Sequence, residues 1–137
     1  MDPVATNDLE RLHITSDEND TINWTASFVS YGGHGATQSA TIVFEIAPGS
    51  HLGWHTDQTE ETQYIISGTG EFQRDDATFP VGPGSVFVVP TDVRHDLVNT
   101  GPEPLRCVAF FSAAMFTQKF DEELLPPKSR VVGTPNR

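Results

Sequence analysis

Only one cysteine, Cys107, stands in 137 residues, so no internal disulfide can form. That usage fits a reducing compartment. Basic residues are scarce as well. Against 8 Lys and Arg there are 19 Asp and Glu, and the net charge of -11 sets the surface against phosphate backbones and anionic lipid headgroups. Neither nucleic acid nor a membrane is therefore an expected partner. No apolar run approaches the roughly 20 residues of a membrane span. The opening MDPVATNDLERLH has neither the basic nor the apolar stretch of a secretory leader. The expectation is a cytoplasmic protein. Internal repeats and low-complexity linkers are also lacking. A length of 137 residues suits one domain that buries a core without a staple. A metal, if held, would then serve function and not folding.

What is present reads as strand. Residues 1–21 are polar, rich in Asp, Asn and Thr, and form an irregular arm. From residue 22 to 112, runs such as NWTASFVSY, QSATIVFEIAPG, TQYIISG, GEFQR, SVFVVP, RHDLVN and LRCVAFFS alternate or are continuously apolar. Gly, Pro, Asn and Asp punctuate them at RDDAT, PVGPG and NTGPEP. This predicts an all-β fold, one barrel or sandwich over residues 22–112. Residues 113–137 are expected to be a short helical segment, within SAAMFTQKFDEELL and stopped by Pro126 and Pro127, followed by an extended tail.

The chemistry concentrates in GSHLGWHTDQTEETQYIISG, residues 49–68. On an extended chain, His51, Gly53, His55 and Asp57 share one face, and Glu61, Gln63 and Ile65 share a face of the next strand. A third donor comes from VVPTDVRHDLVN, where the apolar same-face neighbour Leu97 turns His95 inward. Two imidazoles and a carboxylate from three strands are the makeup of an open site for a divalent transition metal.

At these positions the sequence resembles the cupins. Gly49, His55, Asp57, Glu61 and Gly68 fall on the spacing of the first cupin motif. Gly84, Pro90, Asp92, His95 and Asn99 fall on that of the second. The resemblance implies a double-stranded β-helix, the jelly-roll barrel, with a metal inside it, held in typical members by three His and one Glu. Two positions depart from that pattern. Asp92 stands where a turn glycine is usual, and Asp tolerates the left-handed backbone such a turn needs. Asp57 stands where the second His would bind. Either His55, Glu61 and His95 hold the metal with Asp57 outside the set, or Asp57 is itself a ligand. The first is the expectation, with Asp57 placed to take a proton and Gln63 to orient a substrate or a water.

Other candidates carry less. His51 is at most on the pocket rim, Glu60 has the wrong parity for the barrel interior, and His13 and His34 lie in the arm and a Gly-rich turn. Cys107 alternates with Leu105 and Ala109 and reads as a small core residue. An open set of this kind implies first an Fe(II)-type oxygenase, a dioxygenase acting on a small metal-chelating substrate. The second reading is a lyase or isomerase using Mn, Zn or Ni as a Lewis acid, and the third a small-molecule binding protein without turnover. A homodimer is expected by resemblance.

Overall fold

Period-two alternation builds the two walls of the molecule. In ATIVFEI the side chains of Ala40, Ile42, Phe44 and Ile46 are buried, and the intervening Thr41, Val43 and Glu45 are partly exposed. The computed structural model describes residues 1–135. Its strands are β1 (Leu12–Thr15), β2 (Asn23–Ser30), β3 (Ala40–Ile46), β4 (His55–Asp57), β5 (Glu61–Ser67), β6 (Gly70–Arg74), β7 (Ala77–Val81), β8 (Val86–Val89), β9 (His95–Asn99), β10 (Leu105–Phe111), β11 (Thr117–Leu124) and β12 (Ser129–Gly133). They form two antiparallel six-stranded sheets, in the orders β1-β2-β3-β10-β5-β8 and β12-β11-β4-β9-β6-β7. The expected all-β jelly roll is the architecture observed.

The inner faces meet in one core. Register sets Phe44 opposite Cys107 and Ile46 opposite Leu105 on β3 and β10. Ile46, Ile65, Leu97, Leu105 and Leu124 are fully buried. Each such side chain contributes roughly 1.5–3 kcal/mol, so the fold needs no disulfide. Among the described residues, no helix is long and apolar enough to cross a membrane.

Three expectations about the ends and edges need correction. The segment read as helical, residues 113–125, holds strand β11, in which Gln118 and Phe120 are buried and Thr117, Lys119 and Asp121 are exposed. Its Ala, Met, Lys, Glu and Leu favour helix intrinsically, but pairing with β4 on one side and β12 on the other overrides that preference. Within the arm, Leu12–Thr15 is strand β1, paired to β2. The sheets therefore extend beyond residues 22–112 in both directions. Strand β7 takes in residues of the stretches RDDAT and PVGPG that read as punctuation, and its Pro80 is one a sheet accepts at an edge strand. Of the tail, residues 136 and 137 lie outside the described residues.

Two turns that bracket the site depend on left-handed backbone. Asp92 adopts φ 62°, as expected of the residue that replaces the turn glycine. Gly68 adopts φ 89°, and a Cβ there would lie 2.6 Å from the Pro104 carbonyl oxygen. Ending β5 at that point lets the chain cross to the other sheet.

Candidate metal centre

Strand β4 is only three residues long, yet it delivers two donors. Alternation turns His55 and Asp57 into the barrel and leaves Thr56 between them partly exposed. His55 pairs directly with His95 on β9. From the facing sheet, β5 sends in Glu61 and Gln63. All five side chains are buried.

The donor atoms converge. One ligand atom each from His55, Asp57 and His95 lies within 4.8 Å of the other two. His95 Nε2 is 3.4 Å from Asp57 Oδ2 and 3.5 Å from Glu61 Oε1, and His55 Nε2 is 3.8 Å from Asp57 Oδ1. Donors about 2.1 Å from a common ion stand roughly 3.0–3.4 Å apart at octahedral or tetrahedral angles, so His55, Asp57 and His95 stand near that spacing, while Glu61, 3.5 Å from His95, lies outside the set that meets within 4.8 Å. Asp57 Oδ2, Glu61 Oε1 and His95 Nε2 are buried with no hydrogen-bond partner. Unpaired atoms of this kind are costly unless something else satisfies them, and a divalent cation would satisfy all three.

Both imidazoles are set with Nε2 inward. His55 Nδ1 donates to the Gly53 carbonyl at 2.7 Å, and His95 Nδ1 donates to the Val93 carbonyl at 2.8 Å. These backbone bonds fix the tautomer a metal requires. The His55 ring is stacked on Phe120 at 4.3 Å, and burial holds it well below the usual histidine range, which keeps it neutral. Burial first, and then the neighbouring Glu61, push Asp57 up to about 9. Burial also raises Glu61, with the neighbouring Asp57 and the hydrogen bond from Gln63 opposing.

The structure brings together every residue singled out as a ligand or catalytic group. An Asp57 oxygen lies within 4.8 Å of ligand atoms of His55 and His95, a position compatible with the second of the two arrangements open from the sequence. The short aspartate stem suffices because β4 runs close beside β9. Gln63 Nε2 donates to Glu61 Oε2 at 3.0 Å, and its Oε1 has no partner. Glu60 is exposed, and His13 meets Asn23 far from the site. Cys107 is buried in the core, and desolvation pushes its thiol up.

Two neighbours escaped the sequence reading. Gln118 donates from Nε2 to Asp57 Oδ1 at 2.8 Å. Phe120 covers His55. Both sit on β11, and the alternation of Phe116, Gln118 and Phe120 was the available signal. Above them an apolar cavity of about 160 Å³ is lined by Ile14, Trp24, Phe28, Phe116 and Gln118, among others. Against His55 and Glu61 the free space is only about 20 Å³, and Trp24, Ile42 and Gln118 line both spaces.

The family described as Cupin domain matches residues 42–111, half of the chain. SchB of Streptomyces halstedii is 35% identical over 75 residues, 54% of this chain and 54% of its own. The chain spans about half the length of the curated relatives it matches. The polyketide cyclase RemF from Streptomyces resistomycificus superposes with a TM-score of 0.68 at 21% identity, covering 81% of this chain and 78% of that one. A sugar phosphate isomerase from Silicibacter pomeroyi superposes with a TM-score of 0.73 at 15% identity, covering 98% of this chain and 93% of that one. At those identities the two superpositions show a shared fold.

Proposed function

We propose that this chain, which belongs to the cupin family, is a metal-dependent enzyme that moves a proton at the carbon next to a carbonyl of a small, largely apolar substrate. The observation that carries this reading is the buried convergence of His55, Asp57 and His95, with Glu61 3.5 Å from His95 and three buried oxygen and nitrogen atoms without hydrogen-bond partners. These four residues would hold a divalent ion, which when bound supplies Lewis-acid polarisation of a substrate oxygen. Four donors saturate tetrahedral zinc and leave two positions on an ion that takes six ligands, so iron, manganese or nickel suits the set better.

The chain's own groups do the rest. Glu61 is held by Gln63 at Oε2, which leaves Oε1 for the ion. Gln63 Oε1 accepts a hydrogen bond from a substrate hydroxyl or a water. Asp57 would give Oδ2 to the ion, so Oδ1, held by Gln118 until a ligand draws that amide away, is the atom at which a proton is taken up or returned. The surrounding Phe120, Trp24, Ile42 and Phe44 exclude bulk water, which strengthens each of these interactions. A proton leaves carbon and the electron pair moves toward the carbonyl; then either the proton returns, or the enolate carbon bonds to a second carbonyl carbon of the same molecule, whose π pair moves to oxygen and takes up the proton, with no oxidant consumed. RemF is a polyketide cyclase and the Silicibacter protein a sugar phosphate isomerase, and reactions of this class fit both names.

The oxygenase reading comes second, favoured by the two positions left open on an iron-type ion. One experiment separates the two. Protein loaded in turn with Fe(II), Mn(II) and Ni(II) is given phenylacetone in D₂O without air, and deuterium uptake beside the carbonyl is followed by NMR. Metal-dependent exchange is expected. Oxygen consumption in air with no anaerobic exchange would replace proton transfer by oxygenation.

A further inference from the structure

The space beside His55 and Glu61 has room for about one water. A substrate body must therefore lie elsewhere, and two concavities border the site. One is the cleft of about 450 Å³ lined by Phe72, Arg74, Phe79 and Val88 among others. Phe72 and Phe87 close its inner end, their rings 4.2 Å apart, with Phe72 between the cleft and His95. The other is the cavity of about 160 Å³ among β1, β2, β11 and β12. Exposed Pro126 and Pro127 lie at its mouth, and buried Trp24, Ile42 and Gln118 form a floor shared with the space at His55. Only this second cavity reaches the donor cluster through lining residues held in common.

Its chemistry defines what it takes. The wall is apolar and aromatic, from Ile14, Trp24, Phe28, Phe116 and Val132. Among the described residues, no Lys or Arg lines it to pair a phosphate or carboxylate. An apolar cavity of roughly 150 Å³ accommodates one benzene ring. The polar side chain of the floor is Gln118, nine-tenths buried and bonded to Asp57. We infer that this cavity is the substrate-body site, that it takes an uncharged molecule of about one six-membered ring carrying a carbonyl or hydroxyl oxygen, and that Gln118 selects for that oxygen and admits it to Asp57.

The inference rests on the proposed reading only in taking Asp57 and its neighbours as the reacting centre. Gln118 spans the boundary, so its amide exchanges its bond to Asp57 for one to the ligand oxygen. A single oxygen passes while the ring remains among Trp24, Phe28 and Phe116. Larger fused rings exceed the volume, and sugar phosphates would have to bury an unpaired dianion.

The test is binding to the full chain stripped of metal by a chelator, in a Trp54→Phe background so that Trp24 alone reports. Acetophenone should quench Trp24 emission saturably, and a sugar phosphate such as glucose phosphate should not. Ala26→Leu adds bulk to the cavity wall and should weaken acetophenone roughly tenfold or more. Val132→Phe does the same from β12 and serves if the first variant folds poorly. Gln118→Leu should weaken acetophenone roughly tenfold, the loss of one hydrogen bond. It should leave ethylbenzene, the same shape without the oxygen, within about twofold. Acetophenone binding that is absent, or unmoved by both filling variants, overturns the cavity assignment. Equal weakening of acetophenone and ethylbenzene by Gln118→Leu overturns the selective role of the amide. Metal uptake by the same proteins is measured separately: ketone binding without metal uptake sinks the metal-dependent reading alone, and the converse sinks only the cavity.

Discussion

His51 Nδ1 lies 2.6 Å from Asp96 Oδ2, on the side of β9 opposite the inward-facing His95. Asp96 is buried, and its other oxygen accepts the backbone N–H of Gly53 at 3.0 Å. Gly53 in turn offers its carbonyl to His55 Nδ1. At the far side of the imidazole, His51 Nε2 meets Thr21 Oγ1 at 2.8 Å. The pair therefore ties residues 21, 51, 53 and 96 together immediately behind the donor cluster.

The pH dependence of this tie has a definite sign. The hydrogen bond to Asp96 raises His51 above its ordinary value of 6.5, against the opposing effect of burial. A histidine whose folded value is raised adds stability that is fully present below about 6.5 and is lost as pH climbs through the folded value. Hydrogen bonds to charged groups contribute roughly 1.5–3 kcal/mol. Urea unfolding of wild type and His51→Gln should differ by about that much at acidic pH and converge in alkaline buffer. A difference that grows with pH would contradict the ion pair.

Metal affinity should rank the donors. His95→Ala removes an imidazole with no substitute nearby and should lower affinity by more than about 100-fold. Asp57→Asn keeps the shape and the Gln118 contact but loses charge, and a drop of roughly 10–100-fold is expected. Asp57→His restores the usual cupin residue and should recover binding. Elemental analysis and competition against a chelator measure all three. Unchanged affinity in Asp57→Asn would put Asp57 outside the metal set, the arrangement the sequence favoured.

Metal entry should release a proton. Burial and the neighbouring Glu61 push Asp57 up to about 9, which favours its protonated form at neutral pH when no metal is bound. A cation bound to its oxygen displaces that proton, so calorimetric titration near pH 7 in buffers of different ionisation enthalpy should report roughly one proton released per ion. Apparent affinity should fall as pH falls. Asp57→Asn should abolish the release, and buffer-independent heats in the wild type would show that Asp57 is already ionised.

Gly68 carries the crossing between sheets. Alanine there would keep φ at 89° and set Cβ 2.6 Å from the Pro104 oxygen. Left-handed strain plus backbone displacement should cost roughly 2–4 kcal/mol. Thermal unfolding of Gly68→Ala measures it. A loss below about half a kcal/mol would mean that the turn relaxes freely.

Most strands between residues 22 and 112, and the shared-face placement of His55 with Asp57 and of Glu61 with Gln63, were determined by the sequence alone. Side-chain parity along a strand is a local property that spacing carries. The φ of Asp92 was foreseeable on the same ground, because residue type limits the left-handed region. Local signals failed where distant partners decide. Residues 117–124 have helix-favouring composition, and only pairing with β4 and β12 makes them a strand that delivers Gln118 and Phe120. The place of Asp57 among the donors depends on how closely β4, β9 and β5 approach across the barrel, a distance that no period in the sequence encodes. The tie between His51 and Asp96 joins residues 45 positions apart. Tertiary structure decided these contacts because the energies that fix them, packing between sheets and desolvation of the paired groups, arise only once the two walls have met.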